Sequence, residues 1–261
     1  FPKIEYKLQS ESADNAYTTN APKDAGSYTV RVTMSENQNY KGASATKDFT
    51  ISKATDNAWQ TEPSVTNFTY GDTETNPVTY EAKYGNGNVV VTYKKQGTEG
   101  TSSTTVPTEA GTYDVTVSLA ETASYPGLPD VSLTLTIAKA ESSVTKAPED
   151  AKSLYNGGNV QLITEGTANG GTMQYSLNNA DWSDSVPTGK DAKTYTVYYK
   201  VVGDSNHTDS VPASVSVTIA PRSIADASVT LGESLTYNGS SQTQTVTVKL
   251  GEVDITSSCN V

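Results

Sequence analysis

The stretch at residues 109–117, EAGTYDVTV, decides the fold because its phrase returns: residues 24–32 read DAGSYTVRV and residues 191–199 read DAKTYTVYY. Anchored on Tyr28, Tyr113 and Tyr195, the spacings are 85 and 82 residues. An internal repeat of this period divides the 261 residues into units of roughly 80. Other positions keep the register. Tyr40, Tyr125 and His207 follow twelve residues after each anchor, and Ile51, Ile137 and Ile219 close the phrases FTISKA, LTIAKA and VTIAPR. Upstream stand Tyr6, Tyr93 and Tyr175, while Tyr70, Tyr155 and Tyr237 open the turns YGD, YNGG and YNGS. The phase predicts a partial repeat over 1–54 holding C-terminal strands only and complete repeats over 55–139 and 140–220. A second partial repeat, over 221–261, holds N-terminal strands only. The expected picture is a window cut from a longer tandem array.

Alternation with period two runs through every unit, as in strands with one buried face. Tyr113, Val115, Val117 and Leu119 share one side, and Val131, Leu133, Leu135 and Ile137 repeat the pattern. In the next unit Tyr195, Val197, Tyr199 and Val201 face Val215, Val217 and Ile219. No window holds helical apolar spacing for long, and turn signals such as NGN, TEG, YPGLP, NGG and GDSNH interrupt at short intervals. The fold class expected is all-β: tandem immunoglobulin-like β-sandwich repeats, six or seven short strands each, in an elongated array. A seven-residue strand is about 24 Å long, so a unit would span about 35 to 40 Å. The connections SKATDN, AKAESS and APRSIAD hold little glycine, which restricts bending.

The phrase itself reads as a structural corner built on Tyr28, Tyr113, Tyr195, Gly26 and Gly111. In immunoglobulin-like sandwiches a tyrosine at the start of the penultimate strand folds under the preceding corner and hydrogen-bonds the backbone a few residues upstream. Gly26 and Gly111 allow a positive φ in the turn. Lys193 replaces glycine in the third copy, so that corner is expected to turn differently.

Composition excludes several function classes. Acidic side chains outnumber basic ones by 29 to 18, a formal charge of -11, which repels nucleic acid and anionic lipid. No run of about 18 apolar residues exists, and no charged segment followed by an apolar one opens the sequence, so this piece is expected neither to span a membrane nor to carry its own export signal. Hydrophobic content is 34%, with Tyr exceeding Phe by 16 to 3, as suits thin cores with wet outer faces. The single cysteine, Cys259, permits neither an intrachain disulfide nor a thiolate metal site and reads as a small buried side chain near a cut end.

Residues that invite chemistry have simpler readings. His207 is the lone histidine and falls in register with two tyrosines, so it fills an aromatic loop position rather than a catalytic or metal site. The acids of TETN, TEGTS and APEDA read as solvated loops, not as facing carboxylates. KATDNAW and KAPEDAK supply too few oxygen ligands for junction calcium. Lys53 and Lys139 recur at strand ends, where solvent rather than an isopeptide partner is expected. The chain is therefore expected to be no enzyme and to need no metal or cofactor. A glycan contact is the competing expectation, through Trp182, Trp59 and Tyr84, with Tyr80 and Tyr198 beside them, because aromatic rings stack on sugars. Trp182 in NNADWSDS has the most polar neighbours.

The recurring A-G-x-Y-x-V, N-Y-x-G and T-I-x-K-A phrases resemble the tandem MBG/YDG-type and related immunoglobulin-like repeats of large bacterial cell-surface proteins, often seen in gut Firmicutes. The resemblance covers almost the whole chain. It implies an extracellular, wall-attached or secreted protein that uses such repeats as a stalk or spacer, with no catalytic residue. Some related repeats are assigned β-grasp-like folds, the alternative architecture. The partners implied are neighbouring repeats of the same chain and a host or dietary glycan or host surface protein. The chain itself is expected to be a monomer.

Overall fold

A computed structural model describes residues 1–73 and 76–258. Cys259, and the acid of the TETN loop at position 74, lie outside the described residues. Among the described residues the regular structure is β-strand with three single-turn 3-10 helices and no α-helix. There is therefore no helix for a sheet to grasp, and the fold is all-β and immunoglobulin-like. The chain divides into two compact units. The first comprises Phe1–Ala140 together with Ser205–His207, and the second comprises Glu141–Asp204 with Thr208–Val261 as far as it is described.

Unit 1 opens with an antiparallel meander of Lys3–Leu8, Gly26–Met34 and Ala43–Ile51. Tyr28 stacks on Phe49 at 5.7 Å and Tyr6 meets the same ring edge-on at 6.2 Å. A two-layer sandwich follows. One layer pairs Trp59–Val65 with Val78–Ala82, and the other has the order Phe68–Thr69, Leu128–Ala138, Gly111–Leu119, Val90–Lys95. Alternation is the cause: Tyr113, Val115, Val117 and Leu119 are buried on one face of their strand. Tyr113, Val115 and Val117 meet Val78, Tyr93, Leu135 and Ile137, with Trp59, Val65 and Phe68 packed at the edge, while Leu119 joins Ala82 and Tyr125 in a second cluster. Each fully buried aliphatic side chain contributes about 1.5–3 kcal/mol by leaving water.

Within this sandwich the two-residue strand Phe68–Thr69 runs parallel to the last strand, Leu128–Ala138. Phe68 pairs with Ile137 and Thr69 with Ala138, and the Tyr70 N–H donates to the Ala138 carbonyl at 2.8 Å.

Unit 2 repeats the plan. A three-stranded antiparallel sheet of Gly171–Ser176, Thr194–Gly203 and Ala213–Thr218 packs its inner face into one core with Leu162, Ile163, Met173, Tyr175, Val197, Val201, Val217 and Ile219. The opposing layer is made of short pairs, Ser143–Lys146 with Thr167–Asn169 and Glu149–Asp150 with Ile163–Thr164. The parallel closure recurs as well: Leu154 bridges Ala220, whose N–H donates to Ser153 while its carbonyl accepts from Tyr155 at 2.9 Å. Ser228–Leu231, Val246–Leu250 and Val253–Asp254 form a further antiparallel sheet.

Candidate functional site

The recurring corner is the part of the molecule built to a common specification. Each anchor tyrosine donates its hydroxyl to the carbonyl four residues upstream: Tyr28 to Asp24 at 2.9 Å, Tyr113 to Glu109 at 2.8 Å and Tyr195 to Asp191 at 3.0 Å. Tyr28 and Tyr113 are buried, and burial pushes the Tyr113 hydroxyl above its ordinary pKa, with Glu109 adding to the shift. Gly111 sits at φ +152, whereas Gly26 has no positive φ, so a shared backbone strain does not explain the glycine. At Gly26 a Cβ would stand 3.3 Å from the Tyr28 ring, tight against a buried side chain, whereas at Gly111 the nearest atom is the flexible end of Lys95, Cε at 2.9 Å. In the third copy the Tyr195 ring is only half-buried. Lys193 Nζ lies 5.0 Å from its centroid, and the Asp191 N–H closes a second bond onto its hydroxyl at 3.1 Å.

Two residues that sequence reasoning passed over complete the corner. In unit 1 the Ala25 N–H donates to Ser124 Oγ at 3.0 Å, and the Ala110 N–H donates to Asn206 Oδ1 at 2.9 Å. The same two residues use their backbone carbonyls as well, accepting from Ala54 at 2.9 Å and from Ala140 at 3.0 Å. Each is thus clasped at two N–H groups. Asn206 adds a third contact, donating Nδ2 to the Glu109 carboxylate. The only signal for this in the sequence was position: Ser124 and Asn206 each precede the ring residue twelve places after the anchor.

The rings at those positions differ in use. Tyr125 is buried with Ala82 and Leu119, and its hydroxyl accepts from Asn88. His207 meets the Tyr70 ring edge-on at 5.2 Å, and its carbonyl accepts from Lys139 Nζ at 3.2 Å. Lys53, in the equivalent place to Lys139, pairs with Glu121. Neither lysine stands in an apolar core.

Electrostatics make acid the weak side of stability. Hydrogen bonds from Lys83 to Asp56 and from Lys53 to Glu121 hold both carboxyls below the usual carboxylate range. In unit 2 the Lys152 N–H does the same for Asp150, and Lys3, then Arg31, for Glu5. A folded pKa below the unfolded value adds stability above about pH 4, which is lost as pH falls through the folded value. The midpoint of thermal unfolding, followed by circular dichroism, is therefore expected to be flat from pH 8 to 5 and to drop below about pH 4. A midpoint that rises on acidification would contradict this assignment.

Of the glycan candidates, Trp59, Tyr80 and Tyr84 lie in unit 1 and Trp182 and Tyr198 in unit 2. Trp59 is half-buried in unit 1 with Tyr80 edge-on at 6.3 Å, and its indole N–H is buried without an acceptor among the described residues. Tyr84 lies near the same edge, its N–H bonded to Asn57, with Lys83 Nζ 5.2 Å from its ring centroid. Trp182, in unit 2, is half-buried, with Lys200 Nζ 4.9 Å from its ring centroid. Tyr198 lies half-buried on the strand Thr194–Gly203. Among the described residues no group of three or more His, Cys, Asp or Glu side chains is placed to hold a metal, and no helix is long and apolar enough to cross a membrane.

Comparison with known proteins adds the following. Residues 10–55 match the model of the MBG domain. No curated protein matches the chain. Among solved structures, the Drosophila N-cadherin EC1-4 fragment aligns over 88% of this chain and 69% of its own, at 11% identity and a TM-score of 0.22. Domains 1-6 of the surface layer protein SbsC align over 96% of this chain and 45% of their own, at 15% identity and a TM-score of 0.27.

Proposed function

We propose that the chain is a load-bearing spacer: tandem, non-catalytic β-sandwich repeats of a bacterial cell-surface or secreted adhesin-like protein, holding other parts of that protein at a distance. The observation that carries this reading is a parallel closure present in both sandwiches, in which a short segment early in the repeat pairs with the repeat's C-terminal end, at Phe68–Thr69 with Ile137–Ala138 and at Leu154 with Ala220. Tension on the two ends of such a sandwich pulls the paired strands in opposite senses along their length. The bridging hydrogen bonds are then loaded together in shear, whereas an antiparallel terminal hairpin would open one bond at a time. The MBG match and the surface-protein resemblance of the repeat phrases support an extracellular setting.

Pulling single molecules by their ends tests the reading. Tyr70→Pro removes the N–H that reaches Ala138, and Tyr70→Phe keeps both it and the ring that meets His207. The proline variant is expected to lower one of the unfolding forces markedly and the phenylalanine variant to leave that force nearly unchanged, because forced unfolding follows the unfolding rate of the loaded contacts. Equal forces in both variants would remove the mechanical argument.

A second reading, binding of a host or dietary glycan, is favoured by Trp182, a half-buried residue in the polar stretch NNADWSDS with Lys200 Nζ 4.9 Å from its ring centroid. Binding on a glycan array that disappears with Trp182→Ala would establish it. An array without hits leaves the spacer reading in place.

A further inference from the structure

We infer that the loop between the strands Val90–Lys95 and Gly111–Leu119 is a site of covalent O-glycosylation, with Thr101, Ser102, Thr104, Thr105 and Thr108 as the sugar acceptors. Seven of the fifteen residues 96–110 carry an aliphatic hydroxyl, and all seven are exposed. Two of them serve the fold. Thr98 donates its hydroxyl to the Lys95 carbonyl at 2.8 Å, and Ser103 Oγ accepts from the Thr105 N–H at 3.0 Å. The hydroxyls of the other five have no hydrogen-bond partner among the described residues. A solvated stretch rich in Ser and Thr and containing a proline, here Pro107, has the composition of an O-glycosylated segment.

The same loop is built differently in the other two copies. In each copy one loop residue bridges a strand tyrosine: Thr18 to Tyr6, Ser103 to Tyr93 and Ser183 to Tyr175. The residue before that bridge is Tyr17, Ser102 and Trp182 respectively. The Tyr17 ring centroid lies 4.0 Å from the Arg31 guanidinium carbon, and that of Trp182 lies 4.9 Å from Lys200 Nζ. Arg31 pairs with Glu5 across the sheet and Lys200 with Gln174, whereas the matching pair in the middle copy is Thr116 with Thr92. Ring and cation are thus missing together from the middle copy. Charge divides the same way. The loops at 9–25 and 178–192 hold four charged side chains each, while 96–110 holds only Glu99 and Glu109. Solvation alone does not account for the hydroxyls, since the other copies meet it with charge.

Beside the loop is a groove of about 440 Å³ lined by Thr98, Thr101, Ser103, Thr105 and Thr108. Clefts that take small ligands measure about 300–1,000 Å³, so an attached sugar has a surface to lie on. The equivalent groove at the first corner, of about 490 Å³, has one threonine, Thr18, among Glu11, Lys23 and Asp24. The reaction is a group transfer from a nucleotide-activated sugar, carried out by a separate glycosyltransferase. The acceptor oxygen bonds to the anomeric carbon as the bond from that carbon to the diphosphate oxygen breaks. The nucleoside diphosphate leaves with the electron pair, the hydroxyl proton passes to a base of the transferase, and nothing is oxidised or reduced. A neutral sugar suits this loop better than phosphate, whose charge of about -1.5 to -2 would add to Glu99 and Glu109 in a chain already at -11. Exposed tips of small polar residues are preferred sites of proteolytic nicking, and sugar at these positions covers one.

Mass spectrometry of tryptic peptides, from the protein recovered from the cells that make it, tests this. Cleavage after Lys95 and Lys139 releases the loop in one peptide, residues 96–139, while the other two loops fall in residues 8–23 and 153–190. The 96–139 peptide is expected to carry mass increments of whole monosaccharides, which alkaline β-elimination removes, and the other two peptides to carry none. Replacing the five acceptors together, Thr101→Ala, Ser102→Ala, Thr104→Ala, Thr105→Ala and Thr108→Ala, is expected to abolish the increments. These side chains are exposed and unbonded, so the variant keeps the fold. An unmodified 96–139 peptide, phosphate in place of sugar, sugar on all three loops alike, or increments that persist in the alanine variant would each overturn the inference.

Discussion

Tyr113→Ala is expected to destabilise the repeat at 55–139 by about 3–5 kcal/mol, the range for deleting a buried aromatic ring. The ring is 5% exposed and packs with Tyr93, Val115 and Leu135, so nothing nearby can close the space without moving a strand. Tyr113→Phe keeps the ring and loses only the bond to the Glu109 carbonyl, and about 1 kcal/mol is expected. Urea unfolding of the two variants separates packing from hydrogen bonding. Equal costs would mean that the corner is held by its hydroxyl and not by its ring.

Gly85→Ala is the second large effect. Gly85 adopts φ +77, and a Cβ there would lie 2.3 Å from Tyr125 Cζ. The Tyr125 ring cannot simply swing away, because it packs with Leu119 and Ala82 and is hydrogen-bonded by Asn88. Backbone strain and overpacking together are expected to cost about 2–4 kcal/mol. The readout is specific: the amides of Ala54 and Ala25, which bond to Ser124 next to that ring, should exchange with solvent faster, while exchange at Val197 and Val201 in unit 2 stays as it was. Unchanged exchange at Ala25 and Ala54 would show that the turn does not depend on the Tyr125 ring.

What the sequence made legible was whatever repeats with local cause. Alternation along 113–119 and 131–137 is a property of consecutive residues, and each anchor tyrosine reaches a carbonyl only four residues away. The Ser124 and Asn206 clasps were illegible for the opposite reason. Their partners lie 99 and 96 residues away, and a hydroxyl in one copy and a carboxamide in the other perform the same acceptor role, so identity gives no hint of equivalence. The shared register of Tyr125 and His207 likewise hid two different ring environments. Trp182 shows a further limit. Its polar neighbours describe the turn, but the cation near its ring, Lys200, comes from a neighbouring strand.

The central claim is that 55–139 and 140–220 are separate, equivalent load-bearing sandwiches. Stretching one molecule by its two ends and measuring the length released at each rupture tests it most directly. The expected record has two steps of equal size, each releasing about 80 residues, or roughly 290 Å of extended chain. One rupture that releases both segments together, or a featureless extension without ruptures, would contradict it.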